Sequence, residues 1–192
     1  MAASYEETRA RLLHAAVDHV AVNGVSALSL RRLATALGTS HRMLVYYFGS
    51  KEGLQAEIVR EVEERQRAVL HEIALSQDLP ATARELWSRL TDPAMFPHER
   101  LFFEVYAQAL QGRSYSPDVA DKFVQSWLSQ LTELNIRAGM PPETARPTAR
   151  LGLAVIRGLL LDLLATGDSE GVTEALETFI DLAAGPVRPA RG

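Results

Sequence analysis

Cysteine is absent from the 192-residue chain, which removes disulfides, thiolate zinc sites and thiol nucleophiles at once. Long apolar runs are absent as well. The longest, LGLAVIRGLLLDLL at 151–164, is interrupted by Arg157 and Asp162 and is shorter than the roughly 20 residues a membrane-spanning helix needs. The opening MAASYEETRARLLHAAVDHV carries Glu6, Glu7 and Asp18 in place of a basic stretch followed by an apolar one, so it does not read as a signal peptide. From these absences we expect a cytoplasmic protein with no membrane partner.

Catalytic signatures are missing too. The chain has no GxxxxGKS/T phosphate loop, no GxSxG elbow, no HExxH pair and no clustered carboxylates. His14 and Asp18 share a helix face at i, i+4, but two such side chains fall short of a metal site. We therefore expect neither an enzyme nor a cofactor or metal. Strand-like alternation, internal repeats and low-complexity tracts are lacking, so the expected fold class is all-α, with about nine helices.

One further scarcity is local. Between Asp18 and Glu52 lie 33 consecutive positions without a carboxylate, although the chain is 23% charged with a net charge of -4. Residues 1–60 hold seven bases (Arg9, Arg11, Arg31, Arg32, Arg42, Lys51, Arg60) against five acids (Glu6, Glu7, Asp18, Glu52, Glu57), leaving 13 bases and 19 acids for the rest. The first third is suited to an anionic partner, and the remainder is an ordinary acidic body.

What is present is helical periodicity punctuated by glycine. Leu13, Ala16, Val17, Val20 and Ala21 make an amphipathic first helix that Asn23–Gly24 can end. Ser29 caps a second helix that buries Leu30, Leu33, Ala34 and Leu37 before Gly38 stops it. A short third helix runs from about Ser40 to Tyr47, and Ser50 caps a fourth reaching about Leu75, whose REVEERQR repeats mark a solvated face. At about 1.5 Å per residue that helix is a connecting rod of roughly 35–40 Å. Longer apolar segments follow at about 80–91, 96–111, 117–138, 144–166 and 169–184, separated by proline and glycine breaks. Ser116 and Pro117 form a start signal for the seventh, Pro147 begins or kinks the eighth, and the tail GPVRPARG is expected to be disordered.

Two short helices joined by a glycine turn describe a helix-turn-helix, whose second helix can enter the DNA major groove. A small packed helical subdomain is the alternative. In the first reading Ser29, Arg31, Thr39, Ser40, His41, Arg42, Met43, Tyr46 and Lys51 are the candidate DNA-binding residues. Helix N-termini at Ser29, Thr39/Ser40 and Ser50 offer N–H groups to phosphate, and Lys51 adds a point charge. Arg42 could read guanine bidentately or neutralise phosphate. His41 faces the groove or solvent. Tyr46 is the aromatic suited to DNA, whereas Leu44, Tyr47 and Phe48 are expected to pack.

The run SLRRLATALGTSHRMLVYYFGSKEGL resembles the N-terminal domain of TetR-family transcriptional regulators. The likeness rests on the turn at Ala34, Gly38 and Ser40, the ending at Leu44, Tyr46, Tyr47 and Phe48, and GSKEGL at 49–54. Val45 departs from the tyrosine common in relatives, and Arg42 from a small residue or proline. The resemblance implies a DNA-binding domain at 1–49, a helical ligand-binding and dimerisation domain at 50–186 with the fourth helix as lever, and a tail at 187–192.

It also implies a ligand cavity among helices five to seven, with Trp87, Phe96, Phe102, Phe103, Tyr106, Phe123 and Trp127 as candidate lining and Arg100, Glu104, Gln108 and His98 as candidate polar groups. Plain core is the alternative for the aromatics. The last two helices would form a dimer interface through Leu153, Ile156, Leu160, Leu164, Val172, Leu176 and Phe179, with intrachain core as the alternative. The expected function is a sequence-specific, DNA-binding transcriptional regulator acting as a homodimeric repressor on palindromic double-stranded DNA, released by an unidentified small-molecule effector. The competing account is an all-helical small-molecule- or protein-binding module without DNA recognition.

Overall fold

Helix boundaries fall where local capping chemistry puts them. The computed structural model describes residues 4–24, 29–75, 78–112 and 119–184. Helix α1 (Tyr5–Asn23) starts with a reciprocal pair: Ser4 Oγ accepts the Glu7 N–H, and the Glu7 carboxylate accepts the Ser4 N–H. It ends at Gly24, whose φ of 72° suits a residue without a side chain. Next come α2 (Leu30–Ala36), α3 (His41–Phe48) and α4 (Lys51–Ala74). The Asp78 carboxylate accepts the Ala81 N–H at 2.8 Å and starts α5 (Leu79–Leu90). A 3-10 turn at Pro93–Met95 leads into α6 (Phe96–Leu110), followed by α7 (Val119–Arg137), α8 (Pro142–Thr166) and α9 (Ser169–Ala184).

Every element expected from the sequence is found, with ends displaced by one or two residues. Helix α8 begins at Pro142, in the first helical position where the missing N–H costs nothing, so Pro147 sits inside the helix. The Ser116–Pro117 signal and the tail lie outside the described residues. No strand occurs among the described residues, and no helix is long and apolar enough to cross a membrane.

The chain divides into two compact units, Met1–Gln66 with Pro93–Val124, and Arg67–Asp92 with Gln125–Gly192. The division falls inside α4 and α7. In the first unit α2 packs on α3 and α1 on α6. Its core joins Leu12, Ala16 and Val20 of α1, Leu33 of α2 and Leu44 of α3 to Leu54 and Ile58 of α4, Leu101, Phe102 and Val105 of α6, and Phe123 of α7. His98 is buried in this unit with Nε2 3.1 Å from the Val17 carbonyl, a polar tie between α6 and α1.

In the second unit α9 packs on both α8 and α5. Ala145, Ala149, Leu153, Leu160 and Leu163 of α8, Val172, Leu176 and Ile180 of α9, and Leu86, Trp87 and Leu90 of α5 are its buried apolar residues on those three helices. Trp87 Nε1 donates to Thr173 Oγ1 at 3.2 Å, and Arg84 grips the Glu177 carboxylate with two nitrogens at 2.9 and 2.7 Å. The pairing raises the pKa of the guanidinium and lowers that of Glu177, chiefly through these hydrogen bonds.

Candidate nucleic-acid interface

The turn between α2 and α3 is built entirely from backbone. Gly38, with φ 62°, donates its N–H to the Thr35 carbonyl at 3.2 Å, and Thr39 donates to Ala34 at 2.9 Å. This double closure needs a left-handed residue at position 38, which glycine adopts without a steric cost. Leu33 and Leu44 are completely buried on either side of the turn. Truncating such a leucine costs about 2–5 kcal/mol, so the angle at which α3 projects is set by well-packed leucines rather than by its surface.

Helix α3 then starts at Ser40, whose Oγ accepts the Met43 N–H at 3.2 Å. The cap leaves the His41 and Arg42 N–H groups without a protein partner among the described residues. Ser29 begins α2 without a side-chain capping bond and is exposed. Ser40, His41, Arg42, Met43, Tyr46 and Arg31 are exposed, and Thr39 and Lys51 are partly so. The nine candidate DNA-binding residues thus fall on the starts of α2, α3 and α4 and on the exposed side of α3.

Charge separates these residues from their surroundings. Arg9 pairs with Glu57 at 2.7 Å, Arg60 pairs with the same carboxylate, Arg65 pairs with Glu61 at 2.8 Å, and His14 Nε2 lies 3.2 Å from Glu61. Arg31, Arg32, Arg42 and Lys51 make no ion pair among the described residues. For the three arginines the carboxylate-free stretch is the cause, since no acid is near them in sequence; Lys51 closes that stretch and makes no ion pair although Glu52 follows it. Four cations without ion pairs, at the starts of α2, α3 and α4, are an arrangement that attracts polyanions.

The junction of α3 with α4 explains the GSKEGL motif. Gly49 has φ 76°, and Ser50 Oγ accepts the Gly53 N–H at 3.0 Å. A Cβ at Gly53 would collide with the Phe48 carbonyl oxygen. Glycine there lets the first turn of α4, with Lys51 at its head, lie directly on the end of α3. Phe48 is buried and Tyr47 partly buried. Tyr5 and Arg9, which sequence reasoning did not single out, reach this junction from α1; the SYEE capping signature at Ser4–Glu7 was the available signal.

The seven aromatics proposed for a cavity are divided between the units. Phe96, Phe102, Phe103, Tyr106 and Phe123 belong to the first, where Phe102 lies 5.1 Å from Phe103, 5.6 Å from Tyr106 and 6.0 Å from Phe123. Trp87 and Trp127 belong to the second, Trp127 with the Arg67 guanidinium 5.9 Å from its ring. Of the polar candidates, Arg100 lies over Phe96 at 5.8 Å, Gln108 donates to Glu104 at 3.2 Å, and His98 is committed to Val17. Of the seven interface candidates, Leu153, Leu160, Val172 and Leu176 are buried within the chain, while Ile156, Leu164 and Phe179 are partly exposed. The four buried ones pack α8 and α9 in the second unit and offer no free surface. Among the described residues no group of three or more His, Asp or Glu could hold a metal ion.

Comparison with known proteins agrees with this geometry. Residues 12–58 match the sequence model of bacterial regulatory proteins of the tetR family. A transcriptional regulator from Rhodococcus sp. Rha1 is 26% identical with a TM-score of 0.69 over 90% of this chain and 94% of that one. The multidrug binding protein EbrR, complexed with imidazole, is 25% identical with a TM-score of 0.64 over 96% and 93%. A TetR transcriptional regulator from Legionella pneumophila shares the fold at 22% identity, with a TM-score of 0.69 over 95% and 98%. No curated protein matches the chain.

Proposed function

We infer, from a chain that is a TetR-family protein by its N-terminal domain and its fold, that it is a homodimeric repressor released from a palindromic operator by a small molecule. As a member of that family it is a DNA-binding transcriptional regulator and not an enzyme. The observation that carries the reading of the site is the set of cations without ion pairs among the described residues, Arg31 and Arg32 at the start of α2, Arg42 at the start of α3 and Lys51 at the head of α4. In this reading residues 1–49 are the DNA-binding domain and 50–186 the ligand-binding and dimerisation domain. Ser29, Arg31, Thr39, Ser40 and Lys51 hold phosphates, while His41, Arg42, Met43 and Tyr46 face the major groove.

Exposure supports the dimer and moves its surface. Leu151, Ala154, Gly158, Leu161 and Ala165 are all exposed and recur at alternating three- and four-residue steps along α8. That is the spacing of a seam against another helix. A Cβ on Gly158 would meet nothing within 4 Å in its own chain, so the chain's own packing does not require a glycine that weakens the helix by about 0.5–1 kcal/mol. On α9, Ala175, Phe179 and Leu182 continue an outward apolar stripe. A second copy laid on these stripes makes a two-fold dimer, which presents two copies of α3 to successive major grooves.

The effector belongs with the aromatic cluster of Phe102, Phe103, Tyr106 and Phe123, and the multidrug binding protein EbrR with its imidazole supports a small organic molecule. Release follows if that molecule binds more tightly to an arrangement whose recognition helices no longer match the grooves. A cytoplasmic location follows from the DNA target. Selection of the purified protein on a randomised duplex pool, followed by a salt titration on the winner, tests the reading. A two-fold symmetric site whose affinity falls steeply with salt is the expected result. Failure to enrich any sequence would make a helical binding module without DNA recognition the better account.

A further inference from the structure

Tyr46 stands 64% exposed on α3, yet its ring is restrained. The Tyr5 ring meets it edge-on, with centroids 5.7 Å apart and planes at 80°, and Tyr47 packs against both, 4.9 Å from Tyr5 and 5.1 Å from Tyr46. Tyr5 is the first residue of α1, and the Ser4–Glu7 capping pair fixes the backbone that carries it. One turn on, the Arg9 guanidinium lies 5.5 Å from the Phe48 ring centre while pairing with Glu57 of α4 at 2.7 Å. Residues 5 and 9 share a helix face, so the first two turns of α1 underlie the end of α3.

Filling the core does not account for this contact. Tyr5 is itself 45% exposed, and the leucines of α1, α2 and α3 close the core without either ring. Two exposed rings in edge-to-face contact bury little, but each limits the orientations open to the other. An exposed side chain that is already ordered loses less freedom when a partner binds it.

We propose that Tyr5 is a positioning residue for DNA recognition, holding Tyr46 in the orientation in which its ring and hydroxyl meet the duplex. The proposal rests on the reading of Tyr46 as a DNA contact. It extends the recognition surface to the first turn of α1, which precedes the segment matched by the family model. Tyr5 acts through the Tyr46 ring, so its effect on DNA binding disappears when that ring is removed.

The test is a double-mutant cycle read by fluorescence anisotropy, with thermal unfolding measured on every variant. The probes are a labelled duplex carrying the selected site and a labelled random-sequence duplex at low salt. Tyr5→Leu is expected to weaken binding about three- to tenfold at an unchanged thermal midpoint, the range for removing one aromatic pair, and Tyr5→Phe to bind as the wild type does. Tyr46→Ala is expected to weaken binding, and Tyr5→Leu added to it to weaken binding no further. A Tyr5→Leu loss that persists in full on the Tyr46→Ala background, wild-type affinity of Tyr5→Leu, or a loss that only follows a lowered thermal midpoint each overturns the proposal. Wild-type affinity of Tyr46→Ala is a separate failure, which removes the reading of Tyr46 itself.

Discussion

The α2–α3 segment and the α8–α9 pair both present side chains to solvent, but of opposite kinds. Around α3 the exposed residues include Arg31, Arg32, His41, Arg42 and Tyr46, with Met43 and Val45 among them; along one stripe of α8 they are Leu151, Ala154, Gly158, Leu161 and Ala165. The first set is dominated by three arginines, with a histidine and a tyrosine that carry polar ring atoms, which suit a wet, anionic partner. The second is small and apolar, which suits a dry helix face. Each helix also buries an inward leucine, Leu44 in one and Leu160 in the other. The lesson is that packing defines the frame in both regions, and the partner is written on the opposite face.

The largest effects should come from α8, where neighbouring leucines face opposite ways. Leu160 is 3% exposed and Leu161 is 51% exposed. Leu160→Ala is expected to lower unfolding stability by about 2–5 kcal/mol, measured by urea denaturation. Leu161→Glu is expected to leave the subunit folded, with an unchanged circular dichroism spectrum, and to convert a dimer to a monomer in light scattering. A dimer that survives this charge would end the comparison, because the outward stripe would then have no partner in a second copy.

On the DNA side the next largest effect belongs to Arg42. If it reads a base, Arg42→Ala should cost about 1–3 kcal/mol on the selected site and relax preference at one position. Equal losses on selected and random duplexes would assign Arg42 to phosphate.

Legibility followed sequence distance. Leu33, Gly38, Leu44 and the α3–α4 junction were readable because their partners lie within a few turns. Glycine at a left-handed position, serine at a cap and leucine at helical spacing carry their physical reasons locally. Tyr5 was not singled out because its ring partners are some forty positions away in sequence, at Tyr46 and Tyr47. The outward face of α8 was hidden for another reason: 151–164 is apolar nearly all round, so periodicity cannot choose between Leu153 and Leu151. By sequence His98 is a group that could orient a ligand, and only tertiary packing gives it to Val17. The two tryptophans joined the aromatic set by composition, although they belong to a different unit from the other five residues.

His98 also makes the stability of the first unit depend on pH. Its Nε2 faces a carbonyl and must carry the proton, which leaves Nδ1 as a buried atom without a hydrogen-bond partner. Protonation would charge a buried ring. Burial is the main cause of a pKa below the ordinary 6.5, with Arg65 acting in the same direction and the Val17 hydrogen bond and Asp18 opposing. As pH falls below 6.5 the unfolded chain takes up a proton that the folded chain refuses, so folding weakens until the lowered folded pKa is passed. Thermal midpoints between about pH 7.5 and 5.5, a window that spans the ordinary histidine pKa, should therefore fall more steeply for the wild type than for His98→Gln. Parallel curves would trace the acid sensitivity elsewhere.

The smallest effect expected at the DNA surface is that of Lys51, and it separates position from specificity. Its ammonium stands at the head of α4, partly exposed, on a backbone held against α3 by the Ser50 cap and by Gly53. A point charge on a flexible stem follows a phosphate but does not distinguish bases. Lys51→Ala should weaken selected and random duplexes by the same factor and reduce the slope of log affinity against log salt by about one, the signature of one phosphate fewer being neutralised. Repeating the titration with Arg42→Ala completes the contrast. A base-reading arginine loses discrimination at one position, whereas the lysine loses only its share of released counterions. An unchanged slope for Lys51→Ala would mean that its charge faces solvent in the complex, and the cations flanking α3 would then reduce to those of α2 and α3 themselves.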